Sequence, residues 1–153
     1  MLTGKWTYRS YRNVPTLVGE DPQAALALIF GEGVFDFEAD GGGHFGGALG
    51  MGNEYALTLD GKVLPGDPPG FSIVGLGIDG TPTEGWRYDY RGVAGYAWPD
   101  GVDQVSSLLG TVVRVNAHGP SSPAGYTASF IAVRQSDGPG PRTLREFALT
   151  KGL

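Results

Sequence analysis

A chain of 153 residues with 16 acidic and 11 basic side chains, net charge −5, is long enough for one buried core, and with no basic cluster it gives no grip on nucleic acid. Without cysteine it has neither a disulfide framework nor thiolate chemistry, and His44 and His118 are too far apart in sequence for a zinc-type pair, so no metal and no cofactor is expected. No apolar run approaches the roughly 20 residues that span a bilayer, and the opening "MLTGKWTYRS" lacks the apolar stretch of a secretory leader; the expectation is a soluble, cytoplasmic protein with no membrane contact.

Period-two alternation then predicts eight strands in chain order. In the first, Thr3 to Arg12, the residues Trp6, Tyr8, Ser10 and Arg12 share one face and Lys5, Thr7, Arg9 and Tyr11 the other. Asp21 before Pro22 is an N-cap and first-turn pair, which predicts one or two helical turns in "DPQAALALIF". The second strand follows in "LALIFGEGVFDFEAD", with Phe35 and Phe37 alternating with Val34, Asp36 and Glu38. After the "DGGG" turn come "HFGGALGMG", "EYALTLDGKVL" and "FSIVGLGID", separated by "MGNE" and "LPGDPPG". The sixth strand is "GWRYDYRGV"; the last two are "LLGTVVRVNA" and "GYTASFIAVRQ".

Eight short strands with short connections predict an all-β fold, a single antiparallel up-and-down barrel, because closure removes the edges an open sheet leaves exposed. A two-sheet sandwich is the competing arrangement. The barrel is favoured by small residues in phase (Gly46, Ala48 and Gly50; Gly75 and Gly77; Ala128 and Ala132), which would relieve crowding inside. The barrel domain is placed at residues 1–136, and 137–153 form a linker and tail, where Leu144, Phe147 and Ala148 at helical spacing mean either a short docked C-terminal helix or a frayed end.

"LTGKW", with Gly4 and Trp6, resembles the opening strand of the calycin superfamily of lipocalins, fatty-acid-binding proteins and avidins, and most of all that of the avidins. The resemblance implies a Trp across the closed end of a barrel and a small, mostly apolar ligand inside it. Where avidins carry Asn, Leu or Ser types that hold the ureido ring of biotin, this chain has Tyr8, Ser10 and Arg12, so biotin is not implied.

The candidate site residues follow from which face turns inward. Trp86, Tyr88 and Tyr90 alternate with Arg87, Asp89 and Arg91, and burying three charges costs far more than burying three aromatics, so the aromatics go in. On the first strand, Tyr8 and Arg12 either line the lumen, with Arg12 orienting a polar or acidic head, or lie at a rim satisfied by water. Glu32 and Asp36 stand four residues apart, roughly 13 Å along a strand, too far for a direct glycosidase pair; with Phe35 and Phe37 inside, the acids face solvent. "DGGGHFGG" lacks the lysine of a phosphate loop, and His118 falls in a polar hairpin loop and is expected to be solvated.

"GYAWPDGVDQVSSL" offers Asp100 and Asp103 but too few oxygen ligands for a calcium loop. Its length is unusual for a barrel hairpin, which makes it a rim loop with Trp98 over one mouth. The expected ligand contacts are therefore Tyr8, Arg12, Trp86, Tyr88, Tyr90 and Trp98, around a small organic molecule with an apolar body and a polar or acidic head. Two other readings stay open. One is an isomerase, cyclase or decarboxylase that uses a lumen Tyr or carboxylate as proton donor, with Tyr8 or Tyr88 as the candidate catalytic group, and the other is a structural or assembly module, with homo-oligomers open to all three.

Overall fold

The computed structural model describes residues 2–136; the tail assigned to 137–153 lies outside them. The chain forms one closed antiparallel barrel of eight strands in sequence order: β1 (Gly4–Arg12), β2 (Ile29–Gly41), β3 (His44–Gly50), β4 (Ala56–Leu64), β5 (Gly70–Gly77), β6 (Arg87–Ala94), β7 (Ser107–Arg114) and β8 (Thr127–Arg134). Closure comes from β1 pairing with β8, Tyr8 opposite Ala132 and Ser10 opposite Phe130. Neither edge of the sheet is left unpaired. A single helix, α1 (Pro22–Ala27), interrupts the β1–β2 connection, and the Asp21 carboxylate accepts from the Gln23 and Ala24 amides at its start as the sequence predicts. Among the described residues no helix is long and apolar enough to cross a membrane.

Alternation places one apolar face of each strand inside. Trp6 and Tyr8, Phe35 and Phe37, Leu57 and Leu59, Phe71 and Ile73, and Tyr88 and Tyr90 are all buried, while Glu32, Asp36 and Glu38 are exposed. Phe35 is the hub, with ring centroids 4.8 Å from Tyr8, 4.9 Å from Phe37 and 5.6 Å from Tyr90. Each fully buried large side chain of this aromatic cluster contributes about 1.5–3 kcal/mol to the stability of the barrel.

The small residues divide between the two faces. Gly75, Ala128 and Ala132 face inward as expected, but β3 turns Phe45 and Leu49 inward and leaves Ala48 and Gly50 exposed. The reason is that Phe45 and Leu49 bury far more apolar area than the small residues between them. What makes room for Phe45 is Gly61, directly opposite it across β3–β4, where any Cβ would collide with the ring.

Candidate ligand site

The two ends of the barrel differ. At one end, where β1 begins and β8 finishes, Trp6 is buried, its indole N–H donates to the Leu2 carbonyl at 2.8 Å, and the Arg134 guanidinium lies 4.8 Å from its ring. A cavity of about 300 Å³ beside it is lined by Trp6, Phe71, Tyr96, Gln104 and Ser107, among others, with no carboxylate and no cationic side chain among the described residues of its wall. At the other end a second cavity of about 300 Å³ opens between the starts of β2, β4 and β6 and the ends of β1, β3 and β7. Its floor is Tyr8, Leu49, Leu57 and Tyr90; its wall is Phe30, Met51, Tyr55, Trp86 and Tyr88; its polar groups are Ser10, Arg114 and His118.

Local hydrogen bonds explain why these side chains converge. In the β5–β6 turn the buried Thr83 hydroxyl donates to the Ala56 carbonyl at 2.8 Å and accepts from the Ile78 amide at 3.1 Å. The Trp86 amide then donates to the Thr83 carbonyl at 2.9 Å and Gly77 donates to the Trp86 carbonyl at 2.8 Å, which fixes Trp86 at the mouth. Gly77 has to be glycine, because a Cβ there would overlap the Thr83 carbonyl. The β7–β8 connection is tied down from three sides. Asn116 donates to the Gly85 carbonyl at 3.1 Å, Arg114 Nη1 to the Pro123 carbonyl at 3.2 Å, and the His118 amide to the Ser122 carbonyl at 3.0 Å.

Those ties lay the His118 imidazole on Trp86, with ring centroids 3.9 Å apart and planes 12° from parallel. His118 Nε2 lies 2.6 Å from the Tyr88 hydroxyl oxygen, which accepts from Arg114 Nε at 2.9 Å. A hydroxyl that accepts from a guanidinium has its own proton to give, so Tyr88 donates to a neutral His118. Desolvation by burial, followed by the Arg114 charge, holds the His118 pKa below its ordinary value and favours that neutral form. Arg114 is 8% exposed, rests 5.2 Å from the Phe30 ring centroid, and has no carboxylate partner among the described residues.

Deeper in the lumen the Tyr8 hydroxyl is pushed up to about 12 by burial, with its hydroxyl contacts to Ser10 and Tyr90 acting in the opposite direction. Tyr90 is also raised well above the ordinary phenol value, chiefly by burial. Both are poor proton donors at neutral pH, whereas Tyr88 is already engaged in a chain of hydrogen bonds. Among the described residues no group of three or more side chains is arranged to hold a metal ion.

Of the six residues expected from the sequence, Tyr8, Trp86, Tyr88 and Tyr90 are brought together in this cavity. Arg12 is not. The register of β1 against β2 shifts between Ser10 and Tyr11, which ends the inward alternation, and Arg12 is exposed, donating to the Tyr126 hydroxyl at 3.2 Å with its guanidinium 5.8 Å from the Phe30 ring centroid. Trp98 is at the opposite end, in the β6–β7 loop, 66% exposed and edge-on to Tyr96 at 4.7 Å, with the Gln104 side chain bridging its backbone N–H and carbonyl.

The sequence reading missed Arg114 and His118. Arg114 could have been found, since it is in phase with the inward Leu108 and Val112 of β7. His118, expected in solvent, is instead half-buried on Trp86, and nothing in a polar hairpin loop announces that. No protein-family model, no curated protein and no solved structure matches the chain.

Proposed function

We propose that the barrel binds a small organic molecule in the mouth between Trp86 and Arg114. The observation that carries this reading is a cavity of about 300 Å³ with an apolar, largely aromatic floor and wall, and its polar groups gathered beside Arg114, Tyr88 and His118. That size matches the lower end of small-molecule sites, and the layout matches their usual form of apolar walls with few convergent polar groups. An apolar, planar body would pack on Trp86 and Tyr90, and a polar or acidic head would turn toward Arg114, which takes the orienting role the sequence assigned to Arg12. The calycin-like opening strand, with Trp6 buried at the far end, supports a lumen binder of lipocalin or avidin type.

The hydrogen-bond chain from Arg114 through Tyr88 to His118 supports one second reading, proton transfer on the bound molecule. Tyr88 would give its proton to the bound molecule and His118, protonated from solvent, would resupply it, as in an isomerase or decarboxylase. Native mass spectrometry of the full chain, purified without refolding, tests the binding reading. The expected result is a retained small molecule at one per chain that Trp86→Ala releases while circular dichroism stays unchanged. A bare mass, together with no uptake from a panel of small aromatic acids and amides, would overturn it.

A further inference from the structure

We infer that the mouth captures a carboxylate and that His118 takes up a proton when it does. The inference rests on the ligand-binding reading above and adds to it the charge of the ligand head and its control by pH.

The charge follows from Arg114. Its Nε and Nη1 donate to two neutral oxygens, the Tyr88 hydroxyl and the Pro123 carbonyl, and among the described residues no Asp or Glu lines the cavity. A cation so little exposed and without an anion is costly to hold, and aromatic faces and neutral acceptors offset only part of that cost. A ligand carboxylate seated against the guanidinium supplies the missing charge with hydrogen bonds that a neutral amide or alcohol cannot match in strength.

The proton follows from the geometry around Tyr88. One hydroxyl separates the guanidinium from the imidazole, at 2.9 Å on one side and 2.6 Å on the other. Among the described residues the ionisable groups facing His118 are Arg114 from β7 and Tyr88 from β6, with Tyr55, Tyr8 and Tyr90 elsewhere in the cavity wall and no acid among them. Within the protein, burial and the Arg114 charge both disfavour the imidazolium. A seated anion cancels the second of these and replaces it with an attraction, so the imidazole gains a proton from solvent. Protonated His118 can no longer accept from Tyr88, and the Tyr88 hydroxyl proton turns to the ligand carboxylate instead. By reciprocity, the protons that anion binding draws in also tighten anion binding.

The test uses the full chain with 2-naphthoate and its neutral counterpart 2-naphthamide, by isothermal titration calorimetry between about pH 8 and about pH 6, where a carboxyl of ordinary pKa stays ionised. Naphthoate affinity is expected to rise about three- to sixfold toward the acid end, as it does when binding strengthens the hold of one imidazole on its proton by about tenfold. Buffers of different ionisation enthalpy would report net proton uptake. His118→Gln flattens this profile, and naphthamide binds about tenfold more weakly or worse, with no pH dependence. A flat or inverted naphthoate profile, or a His118→Gln variant that keeps the wild-type profile, overturns the proton linkage. Equal affinity for naphthamide overturns the charge assignment while leaving the ligand reading intact, and binding of neither compound by folded protein overturns both.

Discussion

Tyr88 does more in this molecule than pack. Its ring closes the lumen beside Phe30 at 6.4 Å while its hydroxyl joins a buried guanidinium to an imidazole, so one side chain belongs both to the core and to the site. Tyr8 and Tyr90 lie deeper, and their hydroxyls are harder to ionise because the lumen excludes water. Unfolded tyrosine titrates near 10, whereas Tyr8 in the fold titrates at about 12, so the folded state holds the extra proton. The stability this represents is fully present below pH ~10 and is lost as pH rises through the folded value. Ultraviolet phenolate titration should therefore show Tyr8 and Tyr90 ionising late, and together with alkaline unfolding. Seven phenols ionising together near pH ~10 in folded protein would contradict it.

Elements place these residues, and they differ in how openly the sequence declares them. In β6 the alternation of aromatics with Arg87, Asp89 and Arg91 is unambiguous because charge and apolar area point to opposite faces, and Arg87 and Asp89 indeed pair on the outside at 3.0 Å. In β1 the same period-two rule runs one step too far, since a register shift after Ser10 carries Arg12 out of the lumen and such shifts leave no mark in the alternation. In β3 the in-phase glycines suggest an inner face, yet Phe45 and Leu49 on the opposite phase decide the matter by their area. The turn before β6 rests on Thr83, whose hydroxyl serves both the Ala56 carbonyl and the Ile78 amide. Thr83→Val keeps the volume but leaves those backbone groups unsatisfied; it should destabilise the fold by about 1–2 kcal/mol in urea unfolding and loosen Trp86, and a neutral effect would show that the turn does not depend on this hydroxyl.

At the scale of the whole molecule, eight strands closing on themselves yield a filled barrel rather than a hollow one. Among the described residues Phe35, Phe37, Phe71 and Phe130 occupy the middle, and the two cavities described above lie at the ends. The barrel was legible from strand number, turn spacing and the inward aromatics. His118 was not, because it comes from a loop: the β7–β8 connection is held over the mouth by Asn116 donating to the Gly85 carbonyl and by the Pro123 carbonyl accepting from Arg114, contacts between groups the alternation does not pair. Trp98 shows the same limit, since its long loop does border a mouth, but the one away from Trp86. A hairpin loop belongs to the mouth its strands run toward, and in an up-and-down barrel successive loops alternate between the two ends.

The central claim is that a ligand enters at the Trp86 end, and amide chemical-shift mapping during a titration with 2-naphthoate tests it most directly. The account predicts perturbations that cluster at Phe30 and Gly31, Trp86 to Tyr90 and Arg114 to His118, with the Trp6 end undisturbed. Perturbations gathered instead around Ala94 to Ser107, where the other cavity lies, or no perturbation at millimolar ligand, would contradict it.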